Sequence, residues 1–120
     1  MKNKVITYKG KDLYLFATTY ACNDRLCLGL VDKNDELYCI LTINLTEKPL
    51  YENEIFINGD VSDELLEKLQ KNNVLGEITD YCKYNMGTYR AVSVDYDVLR
   101  KYDEEGIDKY LSNYIDDMER

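Results

Sequence analysis

Histidine and tryptophan are absent from this 120-residue chain, and proline occurs once. Without histidine the chain lacks the usual general base near neutral pH and the commonest metal ligand, so a serine or cysteine triad would need an unusual base. No glycine-rich phosphate loop or dinucleotide fingerprint occurs, which leaves nucleotide enzymes without a foothold. The four cysteines, Cys22, Cys27, Cys39 and Cys82, are separated by five, twelve and forty-three positions, not by the close pairs of a zinc site. Long apolar runs are missing too. LCLGLV and CILTI fall far short of the roughly 20 residues a membrane span needs, and MKNKVITYKGKD carries no apolar leader core. These features place the chain in the cytoplasm with its thiols reduced, as an expectation.

What remains is the composition of one folded domain, with 45% hydrophobic and 32% charged residues. The formal net charge is −8. It is uneven: residues 1–60 carry 7 basic and 9 acidic residues, residues 61–120 carry 8 and 14. A field of that sign repels phosphate backbones and anionic lipid, and no basic patch offsets it. Direct nucleic-acid or membrane binding is therefore not expected.

The first half reads as strands. KVITY and DLYLFATTY flank KGKD, where Gly10 can supply the positive φ of a tight turn. RLCLGLVD and ELYCILTINL flank DKNDE, whose Asp32, Asn34 and Asp35 bring turn chemistry; the central glycine and distal glutamate of a calcium loop are lacking. Leu26, Leu28 and Leu30 share one face, and Cys27 on the other reads as packing. Pro49 closes the LTINL strand and opens TEKPLYEN before a short strand, EIFING. The period then changes. Ser62 as N-cap, Asp63 and Glu64 in the first turn, and a Val61–Leu66 staple predict a helix from Asp63 to Lys71 that ends at Asn72-Asn73. YRAVSV reads as a strand after a turn at 85–87, with Tyr89, Ala91 and Ser93 on one face. YDVLRKY reads as a short helix broken near Gly106, followed by an amphipathic helix bearing Ile107, Tyr110, Leu111, Tyr114, Ile115 and Met118. The expected class is α+β: an antiparallel sheet of about five to six strands built from hairpins, packed by one central helix, with a C-terminal helical segment.

The ordered set TTYACNDRLCLGLVDKNDELYCILTINL, EIFING, a helix, then NVLGEITDYCKYNMGTYRAVSVDYDVL resembles a bacterial family known as domain of unknown function 4313. The resemblance covers residues 12–99 and leaves the acidic helix at 103–120 as an extension within the same single domain, 1–120. It implies the setting of small accessory genes of bacteria, their plasmids, conjugative elements and phages. It carries no functional residues across.

Chemistry-bearing side chains are few. Cys82, between Tyr81 and Lys83, is the thiol with the best prospect of exposure. Asp95 and Asp97 have the spacing of one strand face and could act as an acid pair, but a helix-capping role fits them better. Neither catalytic residues, metal nor cofactor is assigned. Tyrosine is the anomaly, at twelve residues. Tyr81, Tyr84, Tyr89, Tyr96 and Tyr102 crowd one quarter of the chain among Asp80, Asp95, Asp97 and Asp103. Aromatic anchors in an acidic rim suit an interface, because tyrosine offers rigid amphipathic area at low entropic cost. The expected function is a noncatalytic module that binds a protein through this acidic, tyrosine-rich face, as an accessory or anti-defence factor of a mobile element or phage. The expected binding residues are Tyr81, Tyr84, Tyr89, Tyr96, Asp80, Asp95 and Asp97. A DNA-mimic inhibitor of a nucleic-acid enzyme is its sharper form, and a homodimer is compatible with it. The alternative is a small-ligand or sponge-like domain with a tyrosine-lined pocket.

Overall fold

The computed structural model describes residues 4–118, with side chains through Asn113. The first sheet comprises β1 (Ile6–Tyr8), β2 (Lys11–Thr19), β3 (Leu26–Val31) and β4 (Leu37–Ile40), antiparallel and in chain order. The second contains β5 (Glu54–Phe56), β6 (Ile78–Tyr84) and β7 (Gly87–Ser93), antiparallel in the order β5-β7-β6. The helices are α1 (Asp63–Lys71), α2 (Tyr96–Arg100) and α3 (Glu104–Met118). The α+β class holds. The strands among the described residues number seven and divide between two sheets, where five to six in one sheet were expected.

Local chemistry explains most boundaries. Lys9 and Gly10 have φ of 50° and 76°, so both central residues of the first hairpin turn are left-handed, and Tyr8 pairs with Lys11 across it. In DKNDE the Asp32 carboxylate accepts from the amides of Asn34 (2.8 Å) and Glu36 (3.1 Å), fixing the second hairpin. Ser62 Oγ accepts from the Leu65 amide at 3.1 Å and caps α1. Asn73, at φ 62°, turns the chain out of that helix, with the Val74 amide returning to the Leu69 carbonyl.

The expected LTINL strand behaves differently. Leu41 donates its amide to Leu28 of β3 and accepts from the amide of Asn58, both at 2.8 Å. Within a regular strand the N–H and C=O of one residue point to the same neighbour, so this split turns the chain from one sheet into the other. Beyond Ile40 the pairing passes to the second sheet through the Thr42–Ile57 bridge, with the Ile43 amide donating to the Phe56 carbonyl at 3.1 Å.

Both sheets face a common core. It joins Ile6, Leu13, Leu28 and Leu30 of the first sheet with Ile55 and Val92 of the second, Leu65, Leu66 and Leu69 of α1, and Leu99 and Ile107 near the C terminus. A smaller cluster of Leu45, Phe56 and Ala91 covers the other face of the second sheet, with Cys82, Tyr84 and Tyr89 against it.

The helix break falls at 101–103 rather than at Gly106. Asp103 accepts from the Gly106 amide at 3.1 Å, capping α3, and from the Ala17 amide of β2 at 2.8 Å. Gly106 is helical, and its bare Cα is required by close approach: a Cβ there would collide with the Ala17 carbonyl. The start of α3 thus covers the stretch of β2 that the short β1 leaves unpaired. The side chains of Tyr114, Ile115 and Met118 lie outside the described residues. Among the described residues no helix is long and apolar enough to cross a membrane.

β6 is an outer strand of the second sheet. Its pairing with β7 shifts register between Ile78 and Asp80, and the Tyr81 amide is taken by the Asp80 carboxylate at 2.8 Å.

Candidate functional site

The tyrosines expected to form one face occupy two places. Tyr81, 62% exposed, and Tyr89 line an open hollow with Thr88 and Arg90, whose guanidinium is held by Asp63 at 2.7 Å and by the Val61 carbonyl at 3.0 Å. Tyr84 and Tyr89 pack on the small cluster, so they are partly structural. Asp80 sits on the same hairpin, across from Ala91. Tyr96, Asp95 and Asp97 lie beyond the opposite end of β7. There Asp95 caps α2, accepting from the amides of Asp97 (2.9 Å) and Val98 (3.4 Å), as the capping reading anticipates. Tyr102 does not belong to a surface at all. It is 5% exposed in the main core, and burial raises its phenol above the ordinary value. A single acidic tyrosine face spanning Tyr81 to Tyr102 is therefore not formed.

A different group of tyrosines converges. Tyr20, Tyr51, Tyr96 and Tyr110 line a cleft of about 330 Å³ at the seam between the two sheets. They come from the β2–β3 turn, the 46–53 loop, α2 and α3. Tyr96 and Tyr110 are in ring contact, centroids 5.7 Å apart and tilted by 50°. Tyr51 is 83% exposed at the mouth. Its amide donates to Glu54 Oε1 at 2.9 Å, while the other oxygen of Glu54 accepts from the Thr79 hydroxyl. Leu26, Ile43, Leu50, Ile55 and Phe56 supply apolar lining.

The walls are fixed by polar bonds made across the seam. Asn23 and Asn44 pair their side-chain amides, at 3.0 and 3.3 Å, and Asn44 also donates to the exposed Cys22 thiol at 3.4 Å. Arg25 reaches from the β2–β3 turn to the carbonyls of Leu45 (2.9 Å) and Lys48, tying the start of the 46–53 loop. The Val94 amide donates to the Asn53 carbonyl at 2.8 Å and holds the loop's far end. Tyr20 anchors the centre: its hydroxyl lies 2.9 Å from Thr42 Oγ1, and the Leu28 amide donates to that same oxygen at 3.3 Å. Burial pushes the Tyr20 phenol up to about 12, the Thr42 bond opposing the rise and the nearby Cys27 thiol adding to it.

Charge around the cleft is mostly negative. Asp24, Glu52 and Glu54 line it against the single guanidinium of Arg25. Asp95 and Asp97 flank an adjoining depression that shares Tyr96 and Asn53 with the cleft. Of the thiols, Cys27 is buried as expected, and Cys39 is half-buried, its thiol raised above the ordinary value by burial. Cys82 is half-buried against the small cluster. Among the described residues no three cysteine or carboxylate side chains converge in the manner of a metal site.

The family model described as "Domain of unknown function (DUF4313)" matches residues 15–114. The chain belongs to this family. The match runs through α2 and into α3, so most of the acidic C-terminal helix is part of the family domain rather than an extension beyond residue 99. It also spans every residue of the cleft. No curated protein and no solved structure matches the chain.

Of the cleft residues, sequence density pointed only to Tyr96. Tyr20, Tyr51 and Tyr110 are separated by long intervals, and the one local signal was an aromatic beside acids in the polar TEKPLYEN loop.

Proposed function

We propose that this domain is a noncatalytic binding module that docks on a protein partner through the tyrosine-walled cleft between its two sheets. One observation carries the reading: four tyrosines from four separate segments converge on one hollow with an acidic surround. Tyrosine contributes large, rigid contact area with few torsions to freeze, which is why it concentrates at recognition surfaces. The hollow opens at Tyr51, so it suits a protruding side chain of a partner. A host nucleic-acid enzyme with a basic channel is the partner class that best complements the net charge, and anti-defence is the corresponding role in the cytoplasm.

A second reading, small-ligand binding, is favoured by the cleft's size, about 330 Å³, which falls within the usual range of about 300–1,000 Å³ for ligand pockets. Affinity capture separates the two. Tagged wild type, Tyr51→Ala and Tyr81→Ala are exposed to lysate at low and high salt. The protein-binding reading expects the same partner on wild type and Tyr81→Ala, and its loss from Tyr51→Ala. Retention by all three overturns the cleft as the docking site. A small molecule released on denaturing wild type, with no protein enriched, transfers the function to the second reading.

A further inference from the structure

Resting on that reading, we infer that the cleft receives a cationic side chain, an arginine or lysine on a basic segment of the partner protein.

The first argument is the pairing of ring and charge. Tyrosine rings attract cations through the negative potential of their faces, and carboxylates at the same opening add long-range attraction. Tyr20, Tyr51, Tyr96 and Tyr110 share the cleft with Asp24, Glu52 and Glu54. Asp95 and Asp97 stand beside it, next to Tyr96.

The second argument concerns the chain's own cations. Lys4 lies over Tyr102, Lys9 over Tyr8 and Lys11 over Tyr38, at 5.4–5.9 Å. Among the described residues none of these lysines lies over Tyr20, Tyr51 or Tyr96. The guanidinium that does line the cleft, Arg25, is directed to the carbonyls of Leu45 and Lys48. The two carboxylates of Glu52 and Glu54 thus outnumber the one guanidinium that lines the cleft, and that guanidinium is turned to backbone carbonyls rather than to the rings of Tyr51 and Tyr96.

The third argument is shape. The Tyr51 loop is held at both ends, by Arg25 and by Val94, so the opening is preformed and little ordering is needed on binding. A long, narrow side chain with a charged tip can bury its stem against Leu50, Ile55 and Phe56 while its head stays near Glu52. The lining also disfavours a phosphate or a carboxylate, which would meet three acids.

The test uses the full chain with ring-labelled tyrosine and a short peptide, acetyl-Gly-Arg-Gly-amide, followed by NMR. Its citrulline counterpart keeps the shape and removes the charge. Saturable shifts centred on the rings of Tyr51 and Tyr96 are expected for the arginine peptide. The citrulline peptide should bind about tenfold more weakly, and Glu52→Gln should weaken the arginine peptide several-fold while Tyr81→Ala leaves it unchanged. Equal binding of both peptides, or shifts confined to Tyr81 and Tyr89, or no saturable shift, overturns the inference. The capture experiment stands apart from this outcome. A partner lost from Tyr51→Ala, with no preference for arginine over citrulline, leaves the docking cleft intact and removes only the cationic occupant.

Discussion

Asp103 satisfies two backbone donors with one carboxylate, the Gly106 amide that opens α3 and the Ala17 amide on β2. Asp103→Ala removes a cap and leaves a strand donor unpaired, and is expected to cost about 2–3 kcal/mol in urea unfolding. Asp103→Asn, which keeps one acceptor, should lose less. Tyrosines divide in the same way between structure and surface. Tyr89→Ala, removing a ring packed on Leu45, Phe56 and Ala91, is expected to cost about 1–2 kcal/mol, while Tyr81→Ala should stay within about 0.5 kcal/mol of wild type. Tyr20 has a pH signature. Its folded value of about 12 lies above the ordinary 10.0, so the folded state favours the neutral phenol. That contribution is complete below about pH 10 and is lost as pH rises through about 12, because there the unfolded chain has released a proton that the folded chain still holds. In Tyr20→Phe the alkaline decline in stability should be shallower, and the last phenol step in the ultraviolet titration should disappear.

The elements that were legible in the sequence are those whose signals are local. α1 was readable to its ends because its cap, acidic first turn, staple and terminating asparagines all lie within a few positions of the helix. Ser62→Ala should lower stability by about 1 kcal/mol, read as a shift in the urea midpoint with unchanged slope. The two N-terminal hairpins were readable for the same reason, since Lys9-Gly10 and Asp32 act on their immediate neighbours. The change of sheet at Leu41 was not, because it depends on which distant backbone accepts the Leu41 amide and which donates to its carbonyl. Gly106 was misread as a helix break because its reason is the Ala17 carbonyl, 89 positions earlier in sequence. The cleft was hidden in the same sense. A crowd of tyrosines in one quarter of the chain is a density in sequence, and folding scatters it between two ends of a strand and the core. The tyrosines that do meet are brought together by the asparagine pair, Arg25 and the Tyr20–Thr42 bond.

At the scale of the whole molecule, the two sheets share one core and one crossing segment, in which Thr42 is buried at 2% exposure and bonded to Tyr20. Neither sheet has a separate apolar interior large enough to stand alone, so unfolding should be a single transition. Far-ultraviolet ellipticity and tyrosine fluorescence should trace the same urea curve; two separated curves would mean that the sheets melt independently. The outer strand β6 bears on the fate of the molecule in a crowded solution. Seven residues of strand with Ile78 and Tyr81 exposed would ordinarily recruit further strands and seed fibrils. Here Asp80 occupies one of the amides that an incoming chain would use, and the register shift beside it interrupts the regular ladder. One carboxylate thereby works against amyloid growth along an exposed, tyrosine-bearing margin that it does not cover.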